Sequence, residues 1–198
     1  MPIISVDTPL ILASGSRYRA ELLGRLQLPF VAVPSSVDET RLPGEAPRAL
    51  AERLALAKAR AVSARFPERW VLGSDQVAAL GERVLGKPGD RATAIAQLEA
   101  QSGHEIQFIT AMVLLHDDAL PLPLHVDITT VRFRRLSRAE IERYVDAEPA
   151  LDCAGSFKSE GLGIALCEAI STDDATGLVG LPLIAVCRLL AAAGYPLP

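Results

Sequence analysis

The chain has 198 residues, 49% of them hydrophobic, and a formal net charge of −4. That apolar content can bury a sizeable core, which excludes a disordered chain. The acidic balance excludes a sequence-independent binder of nucleic acid polymers, which needs a basic face, although a few local cations still suffice for a small phosphorylated ligand.

In chain order, residues 10–13 form a short apolar run ending in Ser14-Gly15-Ser16, and a helical pattern follows over 18–26. This reads as strand, small-residue turn, helix. Residues 30–34 read as the next strand. Pro47 suits the first position of a long helix to about Arg65, rich in Ala, Leu and Arg. Residues 70–72 read as a buried strand ending at Gly73-Ser74-Asp75. Asp90 can cap a helix that ends near Ser102-Gly103. Residues 104–115 and 125–134 then read as an antiparallel strand pair. Ser137 and Glu140 have capping-box spacing, so a helix starts there and ends before Pro149. A strand over 163–170 and a closing helix over 182–193 complete the pattern. Strands alternate with helices but also come as a pair, which predicts an α/β fold with a mixed β-sheet. No repeat or linker divides the chain, so residues 1–198 are expected to form a single domain.

No apolar run approaches the ~18 residues of a membrane span. Residues 1–8 lack the basic-then-apolar pattern of a signal peptide. The three cysteines, Cys153, Cys167 and Cys187, are odd in number and lack CxxC spacing, which points to small buried hydrophobes in a reducing compartment. The expected location is therefore cytoplasmic, with no membrane partner. His104, His116 and His125 are scattered without zinc spacing. Chemistry must then rest on carboxylates, lysines, arginines and backbone.

Three segments can carry it. In Ser14-Gly15-Ser16-Arg17-Tyr18-Arg19, a small-residue turn feeds a helix N-terminus whose free N–H groups suit a phosphate. The hydroxyls of Ser14 and Ser16 and the Arg19 guanidinium add donors, although the same turn also reads as an ordinary capped helix. In Gly73-Ser74-Asp75-Gln76, a carboxylate closes a buried strand, where α/β proteins place working groups. Asp75 there can ligate a cation or take a proton from water, although Gly-Ser-Asp also makes plain turns. Val37-Asp38-Glu39-Thr40 holds two carboxylates, of which alternation along an extended chain turns only one toward a site. The other reading, a solvated turn, suits Asp38 best. Lysine usage adds a hint. Only Lys58, Lys87 and Lys158 occur among 20 basic residues, and a lysine retained in an arginine-rich chain marks a place for a compact point charge.

Taken together, these stretches resemble the Maf family of nucleotide pyrophosphatases over essentially the whole chain. The matching runs are Leu10-Ile11-Leu12-Ala13-Ser14-Gly15-Ser16, Val37-Asp38-Glu39, Ala57-Lys58-Ala59, Gly73-Ser74-Asp75, Gly86-Lys87-Pro88 and Val179-Gly180-Leu181-Pro182. The resemblance implies an elongated fold of two lobes around a central cleft, a divalent cation (Mg²⁺ or Mn²⁺), and hydrolysis of a nucleoside triphosphate between its α and β phosphates. By position, Asp75 matches the family's catalytic proton acceptor. Ser14, Arg19, Lys58 and Lys87 match its phosphate-contacting positions, and Glu39 stands with Asp75 where metal ligands are expected. Lys158 is expected to join the phosphate cations or to orient Glu160.

Tyr18, Gln76 and Glu160 fall at three base-specificity positions. This set resembles the branch assigned to 7-methyl-GTP, which carries an aromatic residue, Gln and Glu there. The dTTP/UTP branch carries Arg, Thr and Gln. Methylation at N7 leaves guanine cationic, so an aromatic face attracts it. An ionised Glu160 can accept from N1–H and the 2-amino group together. The chain departs from this branch at Tyr18, where tryptophan is usual, at Arg17 in place of proline, and at Ala20 in place of a second arginine. The alternatives are pyrophosphatase action on dTTP, UTP or another modified nucleotide, or a nucleotide-binding regulator of cell division with little turnover. A homodimer is left open.

Overall fold

The computed structural model describes residues 4–116, 123–195 and 197. Among them run seven strands, β1 (Leu10–Leu12), β2 (Phe30–Ala32), β3 (Trp70–Leu80), β4 (Arg83–Leu85), β5 (Glu105–His116), β6 (His125–Phe133) and β7 (Cys167–Ser171). Five α-helices accompany them, α1 (Arg17–Gly24), α2 (Pro47–Ser63), α3 (Arg91–Gln101), α4 (Arg138–Ala147) and α5 (Leu183–Ala192). The strands form one mixed sheet in the order β2-β1-β3-β5-β6-β7, with β4 paired to β3 off that path. β1 pairs in parallel with β2 and β3, and the other pairings are antiparallel. The expected α/β class with a mixed sheet is what the chain adopts.

Local signals account for most boundaries. Pro47 opens α2, where its missing N–H costs nothing. Asp90 caps α3 by accepting from the Thr93 amide, and Ser137 and Glu140 form the full capping box of α4. Alternation then assigns side chains to faces. Leu10, Leu12, Trp70, Leu72, Met112 and Leu114 pack with α1 and α5 into one apolar cluster. Farther along the same face, Ala78, Ile106, Phe108 and Val131 pack with α3 and α4 into a second. The opposite face packs on α2, through Val71 and Val113 at one end and Val77 and Ile109 at the other. Two separate cores on one face leave a groove between them.

β3 departs most from the sequence expectation. It does not end at Gly73-Ser74-Asp75 but continues to Leu80 and turns into β4, a hairpin that the sequence reading missed. Gly73 serves close packing here instead of a turn. A methyl at Gly73 would collide with the Ala55 carbonyl of α2 and lie 2.7 Å from the Ala59 Cβ. The strand expected over 163–170 also starts later. Its first part forms a 3₁₀ turn, Leu162–Leu166, and pairing with β6 begins at Cys167. The three cysteines are half-buried, not fully buried as expected.

Candidate active site

The site arises where the sheet splits. β1 pairs with β3 only as far as Leu72, and β4 takes up the same edge only from Ala78. Between these points, residues 73–77 of β3 have a partner on the β5 side alone. The chain leaves β1 at Ala13, whose N–H still reaches the Leu72 carbonyl, and turns into α1. A cleft of about 810 Å³ opens at this gap, lined by Ser14, Tyr18, Glu39, Lys58, Asp75 and Glu160 among others. That volume is in the range of small-molecule sites.

Asp75 and Gln76 leave the gap toward opposite faces. Asp75 points to α2, where the Lys58 Nζ lies 2.6 Å from its Oδ1 and 2.7 Å from the Glu39 Oε1. One ammonium therefore ties together two carboxylates that are far apart in sequence. Asp75 and Lys58 are buried, at 5% and 7% exposure, while Glu39 is open to the cleft. Burial raises the Asp75 pKa, with Glu39 adding to it, against the pull of Lys58 and Arg19. For Glu39, burial acts the same way but is outweighed by Lys58, helped by Lys87 and Arg19, so its pKa is lowered. The pair thus combines a carboxylate of lowered pKa with one of raised pKa. Asp38 bonds to the Thr40 amide in an exposed turn, away from this cluster.

Arg19 stitches the gap. Its Nε donates to the Gly180 carbonyl (2.9 Å), and one terminal nitrogen donates to the Ser74 carbonyl (2.9 Å) and the Ser14 Oγ (3.4 Å). The guanidinium therefore serves a main-chain carbonyl that has no strand beside it. Ser14 also accepts from the Ser16 amide, and Ser16 caps α1 by accepting from the Arg19 amide. Lys87 stands exposed on the cleft wall in the loop after β4.

Gln76 faces the other way. Its Nε2 lies 3.0 Å from each of three acceptors, the Thr110 Oγ1 and the carbonyls of Gly177 and Leu178. Carbonyls cannot donate, so the amide nitrogen must occupy this position and Oε1 is the remaining acceptor of a residue that lines the cleft. Thr110, a fully buried strand residue with no sequence signal, donates in turn to the Gly177 carbonyl. Glu160 is exposed at the cleft and accepts from the Ser159 hydroxyl.

One expectation is corrected. Lys158 is not among the residues lining the cleft, and Glu160 acts on it only as a nearby charge. Its Nζ pairs with Glu148 at 3.0 Å, and Glu148 also accepts from the Leu162 amide at the end of α4. Position 18 carries no arginine, but the aromatic face there still has a cation beside it. Arg17 stacks on Tyr18, 4.8 Å from the ring centroid, and donates to its hydroxyl. Cys153, expected as a small buried hydrophobe, is half-buried. It lines the cleft with its Sγ 4.0 Å from the Tyr18 hydroxyl, and burial pushes its pKa up to about 11, so the thiol is neutral.

Among known proteins, the Maf-like protein family matches residues 9–193. A protein of Xanthomonas axonopodis pv. citri named 7-methyl-GTP pyrophosphatase is 57% identical over 190 residues, covering 96% of this chain and 98% of that protein. One of the same name from Xanthomonas campestris pv. campestris is 59% identical over 189 residues, with the same coverage. One from Polaromonas sp. is 54% identical over 189 residues, covering 96% of this chain and 86% of that protein.

Proposed function

The chain belongs to the Maf family, and from that membership we propose that it is a nucleoside triphosphate pyrophosphatase, hydrolysing 7-methyl-GTP to 7-methyl-GMP and pyrophosphate. The observation that carries the reading is the buried Asp75–Lys58 pair at the cleft, with Glu39 on the same ammonium. A buried carboxylate with a raised pKa beside fixed cations suits a general base acting on a polyanion.

In this mechanism Asp75 takes the proton of a water whose oxygen bonds to the α phosphorus. The bond from that phosphorus to the α–β bridging oxygen breaks, and pyrophosphate leaves with the electron pair. Lys58 holds Asp75 ionised and in place. Lys87 supplies positive charge at the mouth, and electrostatic stabilisation of this kind is usually the largest contribution in phosphoryl transfer. Arg19, bonded to two carbonyls, keeps the first turn of α1 and β3 at a fixed separation.

The donor set also fits a hard divalent cation. Asp75 and Glu39 each keep an oxygen that does not meet Lys58, and Mg²⁺ or Mn²⁺ commonly takes one or two carboxylates plus phosphate oxygens and water. Among the described residues no cage of three or more His, Cys, Asp or Glu forms, which suits a cation shared with its substrate. When bound, it would offset negative charge developing on the phosphates.

The base end supports a guanine-type edge. The Gln76 Oε1 and the Glu160 carboxylate are both acceptors, and 7-methylguanine offers N1–H and the 2-amino group as adjacent donors. Uracil and thymine present one N–H between two carbonyls, which acceptors repel. Against a cationic base stands Arg17 on the Tyr18 ring, so that ring serves such a base only through its other face. The test is pyrophosphate release from 7-methyl-GTP, GTP, UTP and dTTP with Mg²⁺ or Mn²⁺, for the wild type and Asp75→Asn. The variant is expected to lose at least a thousandfold in kcat while staying folded, because Lys58 retains Glu39. Near-normal turnover would remove Asp75 from the chemistry, and a preference for UTP or dTTP would remove the base assignment.

A further inference from the structure

Glu160 and Lys87 lie on two different loops, and one side chain of α3 touches both. The Gln97 Nε2 donates to the Gly86 carbonyl at 3.1 Å, directly before Lys87. The Gln97 Oε1 accepts from the Ser156 hydroxyl at 2.6 Å, in the segment that leads to Glu160. The orientation is unambiguous, because the Gly86 carbonyl can only accept. The Gly155 amide also donates to Gly86 O, and one turn along α3 the Gln101 Nε2 donates to the Gly155 carbonyl at 2.8 Å.

This tie meets the backbone at a strained turn. Gly155 (φ 67°) and Ser156 (φ 58°) are consecutive left-handed residues. The first is a glycine, but Ser156 carries a Cβ in a conformation that costs about 1 kcal/mol or more. It is 1% exposed, so its hydroxyl has no water to turn to. The double left-handed turn reverses the chain so that Phe157 enters the α3–α4 core while Ser159 and Glu160 come out on the cleft. Were the hydroxyl to lose its partner, a strained turn would also hold an unpaired buried donor, and the segment would relax.

We propose that Gln97, through Ser156, is a positioning residue for base selection, holding the Glu160 segment at a fixed place beside the Lys87 loop. Glu160 then meets the N–H donors of a purine edge only while the phosphates engage the lysine loop. This rests on the proposed pyrophosphatase reading, and the experiment separates the two.

The measurement is kcat/KM for 7-methyl-GTP relative to UTP in the wild type, Gln97→Ala, Ser156→Ala and the double variant. Each single change is expected to lower the ratio about tenfold, as one lost hydrogen bond would, and the double variant no further. Ser156→Gly separates positioning from mere structure. It relieves the left-handed strain, so its Tm should hold or rise, yet its selectivity should fall as in Ser156→Ala. Wild-type selectivity in Ser156→Gly, or a hundredfold loss in the double variant, overturns the proposal. Hydrogen exchange over residues 153–160 reads the tie without any nucleotide. Gln97→Ala must lower protection there, and unchanged protection overturns the tie whatever the substrate proves to be. A wild type inactive on 7-methyl-GTP but with the exchange result intact would sink the substrate assignment alone.

Discussion

At the scale of single residues, one ammonium governs two carboxylates. Burial raises the Asp75 pKa and Lys58 opposes that rise, so replacing Lys58 by Met leaves burial less opposed and carries the pKa farther up. Since the base must be ionised, the acid limb of kcat/KM should move to higher pH in Lys58→Met, on top of a loss of rate. Stability follows the same sign. A carboxyl whose pKa is higher folded than unfolded binds the extra proton in the native state. Its contribution to stability therefore falls as pH rises from the unfolded value through the folded one. Lys58→Met should cost about 3 kcal/mol near neutral pH, the lower end for breaking a buried ion pair, because Arg19 still faces Asp75. That deficit should shrink toward pH 4. Urea titrations at pH 7 and pH 5 check this, and an unmoved acid limb would show that Lys58 does not set the charge of Asp75. Lys58 is also where reading by sequence was weakest. A lysine in the middle of a long helix is ordinarily solvated, and only the scarcity of lysine and the family resemblance singled it out. Nothing local shows that its turn of α2 lies on a strand seventeen residues away.

At the scale of elements, strand β3 and helix α2 make the site by approaching unusually closely. Gly73 is the contact, with the Ala55 carbonyl and Ala59 against the place where a side chain would stand. Gly73→Ala forces a methyl against helix backbone, which cannot rotate away as a side chain can. Such overpacking costs about 1–3 kcal/mol. Moving α2 outward also draws Lys58 from Asp75, so kcat/KM should fall at least tenfold. Denaturant unfolding with pyrophosphate assays tests both, and wild-type values in each would mean that the helix does not depend on this contact. The sequence reading ended β3 too early for a physical reason. Gly, Ser and Asp are poor strand formers, and their run resembles a turn. Pairing with β5 along Trp70–Ala79 overrides that preference. The Gly155-Ser156 turn was equally hidden, because serine at positive φ has no sequence signature, whereas the caps of α3 and α4, being local, were legible.

At the scale of the whole molecule, alternating helices and strands plus one strand pair were enough to indicate a mixed α/β fold. They did not indicate that β1 lies between β2 and β3, or that β4 leaves a gap beside it. Strand order depends on which edges meet across long separations, and local patterning carries no record of that. Yet the gap makes the cleft, since it parts the α1–α5 core from the α3–α4 core. Tyr18 and Ser14 reach it from the first side and Phe157 and Glu160 from the second, with Lys58 and Asp75 between. A ligand that fills it must touch both halves. In Asp75→Asn, which should bind without turnover, saturating 7-methyl-GTP with Mg²⁺ is expected to stabilise by about 2.7 kcal/mol at a hundredfold excess over Kd. For a chain of this size that raises Tm by about 5–10 °C. 7-Methylguanosine and inorganic pyrophosphate each engage one end and forgo the gain of linkage. At the same concentrations their separate shifts should sum to less than that of the intact nucleotide. A differential scanning measurement decides the point. If pyrophosphate alone reproduced the whole shift, the base end would contribute nothing to binding, and selectivity would have to be expressed in the transition state.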